Sequence, residues 1–363
     1  MPSHNRAIVA CAGCGKTTEI VKASGAPEIK RAAIITYTHK NHAEIGRKFY
    51  SIYGRVLPNV DVETWYTFLL SHLVRPYQAY LRQPRIGEVA WVNSQSAPYT
   101  PKQNVAKFYF SSSGRIYSDK ISEFAVTCND VSGGKVLARL AQVYSHIFID
   151  EFQDLAGWDL EILDLLLKSP IKVMMVGDHR QCTYTTNNAA KNKQYVGEGI
   201  LKLIAKWERA NLCQSEPRNE NHRGIQAICD LGDLIFPHAT RSKSTSILKT
   251  DHDGIFVVRS ADVHAYINFY KPQILRWSAA TDLGELPALN FGEAKGLTFP
   301  RVLIYPTEPI RKFLATGDAT HVRAARSKLY VAVTRAQSSV AFVFDKVCTV
   351  KDVQVYQPRK LAA

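Results

Sequence analysis

Residues 7 to 23 pass from strand to loop to helix, and few folds accommodate that transition. Ala7 to Ala10 (AIVA) reads as a short buried strand. Cys11-Ala12-Gly13-Cys14-Gly15-Lys16-Thr17-Thr18 follows, and then a helical run from Glu19 to Ala23. Small residues let backbone N–H groups close around phosphate oxygens, and the helix N-terminus adds its positive dipole end. In such a loop Lys16 reaches the β and γ phosphates and Thr17 ligates Mg²⁺. Ala12, Gly13, Cys14, Gly15, Lys16, Thr17 and Thr18 are therefore the candidate nucleotide cradle. The strict pattern G-x-x-x-x-G-K-[ST] has Ala10 at its first position, and Ala is small enough for the turn. The alternative is a surface turn that happens to spell GKT, or, for Cys11 and Cys14, a redox or zinc pair.

A second segment bears on that choice. His146-Ile147-Phe148-Ile149-Asp150-Glu151-Phe152-Gln153-Asp154 puts two carboxylates at the end of an apolar strand, as a Walker B site requires. Asp150 would hold Mg²⁺ through its water shell and Glu151 would polarise the attacking water. Two acids after a strand can also cap the next helix, but the conjunction with Lys16 favours the nucleotide reading. A third strand, Lys172 to Val176, ends in Gly177-Asp178-His179-Arg180-Gln181. This is another polar loop at a strand's carboxyl end, where open α/β sheets bind ligands.

The 363 residues suffice for two ordinary domains or one large one, and 46% apolar content excludes disordered and collagen-like classes. Forty-six Lys and Arg against 32 Asp and Glu leave a formal charge of +14, a balance common in proteins that meet nucleic acid or an anionic surface. Seven scattered cysteines form no disulfide framework. Apolar runs are strand-sized, so no membrane association is expected. No separate signal-peptide core precedes the loop, and the expected location is the cytoplasm.

With these blocks in order the chain resembles superfamily 1 helicases of the UvrD/Rep type, and the likeness runs from residue 7 to 345. Ile34-Ile35-Thr36-Tyr37-Thr38-His39-Lys40 resembles motif Ia and Thr64-Trp65-Tyr66-Thr67-Phe68 motif Ib; DEFQD at 150–154 is motif II and GDHRQ at 177–181 motif III. Asn221-His222-Arg223-Gly224 resembles motif IV, Lys295-Gly296-Leu297-Thr298-Phe299 motif V, and Val331 to Ala336 motif VI. The resemblance implies an α/β fold of two RecA-like domains with the ATP site at their interface. One domain would supply Lys16, Thr17, Asp150, Glu151 and Gln181, while Arg223 and Arg335 would be arginine fingers from the other. His222 stands where the family stacks a Tyr on adenine, and Lys295 and Gly296 would lie near the nucleotide. Tyr37, Thr38, His39, Thr64, Trp65, Tyr66 and Tyr184 would line the nucleic-acid path, with the aromatics stacking on bases; each aromatic could instead be core.

The expected domains are 1–210, with a reduced accessory insertion at about 70–143, and 211–363, with a short insertion at about 238–288. In the family pattern Thr186 replaces a stacking aromatic and Thr298 a ribose-binding Glu. Only 15 residues precede Lys16 and none is Gln, so no adenine-reading Gln is found and relaxed nucleotide choice is expected. The implied activity is ATP-dependent, Mg²⁺-dependent translocation on single-stranded DNA or a tailed duplex, with 3′ to 5′ helicase activity. The alternative is a DNA-activated ATPase that gates a partner nuclease in repair or phage defence without unwinding. An RNA-directed enzyme has no positive sign in the sequence.

Overall fold

The computed structural model describes residues 4–187 and 189–358; the ends of the expected domains, 1–3 and 359–363, lie outside the described residues. Six strands build the first sheet: β1 (Arg6–Ala10), β2 (Ala32–Thr36), β3 (Val60–Thr64), β4 (His146–Asp150), β5 (Lys172–Gly177) and β6 (Gln214–Arg218). Their order is β3-β2-β4-β5-β1-β6. β2 is parallel to both β3 and β4, and β5 to both β4 and β1. Every residue of β2 is buried, as expected of a parallel strand covered by helices on both faces.

Local sequence explains the helices that leave this sheet. α1 (Lys16–Ser24) follows the loop after β1. α2 (His39–Tyr53) starts at Thr38, whose hydroxyl accepts the Asn41 N–H at 3.1 Å, and it buries Asn41, Ile45 and Phe49, one stripe at four-residue spacing. The expected insertion at 70–143 contains a π-helical turn over Leu69–Val74 and a pair of two-residue strands, Val89–Ala90 and Ile116–Tyr117. It continues in α3 (Ile121–Val131) and a further helix, Lys135–Val143.

The second sheet also has six strands: β7 (Gly254–Val258), β8 (Gln273–Arg276), β9 (Ala288–Asn290), β10 (Phe299–Ile304), β11 (Ala336–Val343) and β12 (Val353–Val355). Their order is β9-β8-β10-β11-β7-β12, all parallel. The two α/β sheets are the two RecA-like domains. One correction concerns residues 238–288: this stretch carries β7 and β8, paired to β11 and β10, and so belongs to the sheet and is not an insertion. GIFVV is a buried apolar run, and QILR buries only Ile274 and Leu275; neither carries motif residues, so motif spacing could not reveal them.

The chain divides into two compact units. The first holds residues up to Val9, Lys16–His179 and Tyr184–Pro217; the second holds Ala10–Gly15, Arg180–Thr183 and the chain from Arg218 onward. The core of the first includes Ile35, Phe68, Phe124, Ile147, Ile149 and Leu163. That of the second includes Ile255, Leu275, Val302, Ile304, Phe313 and Phe342.

One buried carboxylate ties the first unit together. Asp159 opens α4 (Asp159–Leu167) and is 2% exposed. Its Oδ1 accepts the Trp65 indole N–H at 2.9 Å, and the hydroxyls of Ser122 and Thr186 also donate to its carboxylate. Burial raises its pKa above the ordinary carboxylate value, and these donors act against the rise. Trp65→Phe keeps the ring and deletes one donor to a buried acid. It should cost about 1.5–3 kcal/mol of unfolding free energy in urea titrations; an unchanged midpoint and slope would show that the bond carries no stability.

Candidate nucleotide and nucleic-acid sites

In the first unit the candidate chemistry lies at the carboxyl ends of β4 and β5 and at the start of α1. Lys16, the first residue of α1, is 9% exposed, and Asp150, the last of β4, is 5% exposed. Burial and the neighbouring Glu151 push the Asp150 carboxyl up to about 8, while the Lys16 ammonium pulls it down. An acid pressed by burial and by a second acid favours a nearby divalent cation. The hard oxygens of Asp150 and Thr17 are the donors Mg²⁺ takes alongside substrate phosphates, so these residues fit that ion.

Glu151 adopts the left-handed backbone region, φ +57°, uncommon for a residue other than Gly. Its N–H donates to Asp150 Oδ1 at 3.0 Å, and its carboxylate accepts from Gln153 Nε2. Gln153, 1% exposed, also accepts the Asp178 N–H on Oε1 at 3.0 Å. One amide thus joins motif II to motif III. The contact needs glycine at 177, because a Cβ there would lie 2.3 Å from Gln153 Oε1. In the sequence, only its place inside DEFQD marks Gln153.

The second unit gathers the remaining motifs. Arg335 is 1% exposed and donates through Nε to the Val331 carbonyl at 3.0 Å and through Nη1 to the Leu297 carbonyl at 3.3 Å. Its Nη2 donates to Gln181 Oε1 and to Thr334 Oγ1, both at 3.1 Å. Arg223 Nη1 donates to the Thr334 carbonyl at 3.1 Å. Arg335 thus meets Gln181 and Leu297, and Thr334 joins Arg335 to Arg223, so residues of motifs III to VI come together. Lys295 is buried; His222 is exposed, with Nδ1 2.6 Å from Thr245 Oγ1. Gly296 lies in the turn before β10.

The same unit braces the loop segment 10–15. The Cys11 N–H donates to the Arg218 carbonyl at 2.9 Å, the Ala12 N–H to Tyr330 Oη at 3.3 Å, and the His222 N–H to the Gly13 carbonyl at 2.9 Å. Gly13 has φ +75°, and a Cβ on it would fall 2.5 Å from Asn221 Oδ1. That oxygen is already held by the N–H groups of Arg223 and Gly224 at 2.8 and 2.9 Å.

On the expected nucleic-acid path, Thr36 and Thr64 are register partners at the ends of β2 and β3, which brings motifs Ia and Ib side by side. Thr38 and Thr64 cap the helices that follow, and His39 is exposed. Tyr37 lies 5.9 Å from Tyr66 and 5.4 Å from Tyr184, ring centre to ring centre, and all three are partly exposed. Trp65 leaves the set of base-stacking residues: it is 1% exposed, with its N–H on Asp159. Thr186, in place of the family's aromatic, spends its hydroxyl on that same acid.

Residues 110–195 match the UvrD/REP helicase N-terminal domain, so the likeness to superfamily 1 helicases holds over that segment. A search of curated protein sequences gives no match. Among solved structures, arterivirus nonstructural protein 10, a helicase, aligns at 17% identity over 94% of this chain and 59% of its own, TM-score 0.47. The same protein in complex with DNA aligns at 16% over 96% and 62%, TM-score 0.48. PRRSV nsp10, also a helicase, aligns at 16% over 94% and 54%, TM-score 0.25. The chain thus spans less than two thirds of the length of these proteins. Among the described residues no helix is long and apolar enough to cross a membrane.

Gly13→Ala tests the bracing of the loop. A left-handed non-glycine residue costs roughly 1–2 kcal/mol, so a fall in Tm of about 2–8 °C is expected. A melt that coincides with wild type would mean the loop can move off Asn221 without cost.

Proposed function

We propose that the chain is an ATP-driven translocase on single-stranded DNA that moves 3′ to 5′ and separates tailed duplexes. The observation that carries this reading is the placement of Lys16 at the start of α1, behind the loop that leaves β1, and of Asp150 and Glu151 at the end of β4, in a sheet whose β1, β5 and β4 run parallel. A lysine at a helix start behind a small-residue loop suits β and γ phosphates, and an acid pair at the next strand end suits metal and water.

In this reading the loop N–H groups and Lys16 hold the phosphates. Thr17 and Asp150 would hold Mg²⁺, which would supply charge neutralisation at the phosphate oxygens. Glu151 takes the proton of the attacking water, and Gln153, bonded to its carboxylate, keeps it oriented. Arg223 and Arg335 serve the γ phosphate, as the resemblance implies; planar guanidinium forks match its oxygens. Gln181, bonded to Arg335, links that arginine to motif III. Tyr37, Tyr66 and Tyr184 stack on bases, and a chain of +14 gains affinity from counterion release.

A second reading, a DNA-activated ATPase that gates a partner nuclease, draws on the small 70–143 region, which offers only short helices and two-residue strands. Displacement of streptavidin from end-labelled single strands separates the two, since a gate hydrolyses ATP and displaces nothing.

Lys16→Ala should abolish hydrolysis, whereas Glu151→Gln should retain nucleotide binding and lose turnover. Equal loss of binding in both would remove the division of roles. Gln153→Ala should lower kcat by about 10- to 100-fold with little change in KM, as expected when a base loses its positioning contact; wild-type kcat would leave Gln153 a structural residue only. Arg223→Ala and Arg335→Lys should each cut turnover by about 10³-fold or more, because lysine keeps the charge and loses the fork.

A further inference from the structure

The segment between motifs Ib and II contains an aromatic side chain that none of the motifs explains. Trp91 is 69% exposed, against 1% for Trp65 and Trp207. Its backbone is nonetheless held on both sides. It directly follows the paired strand Val89–Ala90, and the next N–H, of Val92, donates to Ser118 Oγ at 3.1 Å. Ser96 donates through N–H and hydroxyl to the Asp119 carboxylate at 2.9 and 2.7 Å, and the Asp119 carbonyl accepts from Asn187 Nδ2 at 3.2 Å. The segment is therefore anchored to the stretch that follows motif III.

The indole also continues a row of rings. Trp91 meets Tyr66 at 5.0 Å and 87°, and Tyr66 leads to Tyr37 and on to Tyr184. The 75–120 stretch that carries it exposes Arg85, Lys102, Lys107 and Arg115; Lys102 pairs with Glu123 at 3.1 Å, and Arg115 lies 4.0 Å from Glu88, the one exposed acid of the stretch. Aromatic faces flanked by cations that follow a phosphate backbone are how single strands are bound without sequence preference. A solvated indole on a fixed backbone is ready to stack, because little ordering remains to be done on binding.

We propose that Trp91 stacks on a nucleobase of the bound single strand, extending the path from the motif Ia and Ib tyrosines onto the accessory segment. The assignment rests on the reading of the chain as a single-strand-binding motor and adds a contact outside its motifs. It also makes the accessory segment part of the track, with cations and one ring from 75–120 joined to the three tyrosines Tyr37, Tyr66 and Tyr184.

The test uses the full chain with a fluorescently labelled oligothymidine of about 20 nucleotides at low salt, reading anisotropy, and with the unlabelled oligonucleotide, reading intrinsic tryptophan emission. Wild type should be quenched on binding. Trp91→Phe should lose most of that quenching and bind within about threefold of wild type, since a phenyl ring still stacks. Trp91→Ala should bind about 5- to 160-fold more weakly, the range that stacking of one base spans, with a circular dichroism spectrum that matches wild type. Tight binding with quenching unaltered in Trp91→Phe, or wild-type affinity in Trp91→Ala, would overturn this assignment alone and leave the exposed indole to a protein partner. Failure of the wild-type chain to bind the oligonucleotide would overturn the motor reading with it.

Discussion

A carboxylate removed from water must be met by donors, and the first unit is arranged around one such demand. Asp159 draws in the Trp65 indole from motif Ib, the Ser122 hydroxyl from α3 and the Thr186 hydroxyl from the stretch after motif III. Losing any donor leaves a buried charge short of a partner, which is costlier than losing a neutral contact. The three segments are thus fixed to one point. The tyrosine row depends on this arrangement: Tyr66 is the next residue after Trp65, and its hydroxyl donates to the Thr186 carbonyl at 3.2 Å.

Two smaller hubs repeat the device where chemistry is expected. The Gln153 amide spends its donor on Glu151 and its acceptor on Asp178, and Thr334 spends its carbonyl on Arg223 and its hydroxyl on Arg335. In each case one polar residue holds two others, Glu151 and Asp178 in the first and Arg223 and Arg335 in the second. A movement of either hub would alter two motifs at once.

Much of this was legible in the sequence, for a physical reason. Parallel strands covered on both faces read as unbroken apolar runs, so AIVA, HIFID and KVMMV could be found directly, and the polar residues at their ends marked the ligand edge. α1 begins at Lys16, three residues before the expected helical run, because the loop feeds straight into it. The strands at 254–258 and 273–276 carry no motif, and spacing alone turned them into an insertion. Trp65 and Tyr66 are adjacent aromatics of one motif, yet one is core and the other reaches the surface. Only the tertiary position of Asp159 separates them, and no local pattern encodes it.

The bracing of residues 10–15 has a consequence for biogenesis. The Ala12 N–H meets a hydroxyl 318 positions further along the chain, and the Cys11 and Gly13 contacts wait for Arg218 and His222. At the usual pace of roughly 5–20 residues per second, a ribosome needs about 16–64 s to make the stretch between Ala12 and Tyr330. During that interval the loop emerges without its braces, and its glycines leave it conformationally loose. The first strand and helix can form early, but the proposed nucleotide cradle takes its final shape last. On the proposed reading, a nascent or truncated chain is thereby kept from holding nucleotide in the finished manner before the residues meant to respond to it exist.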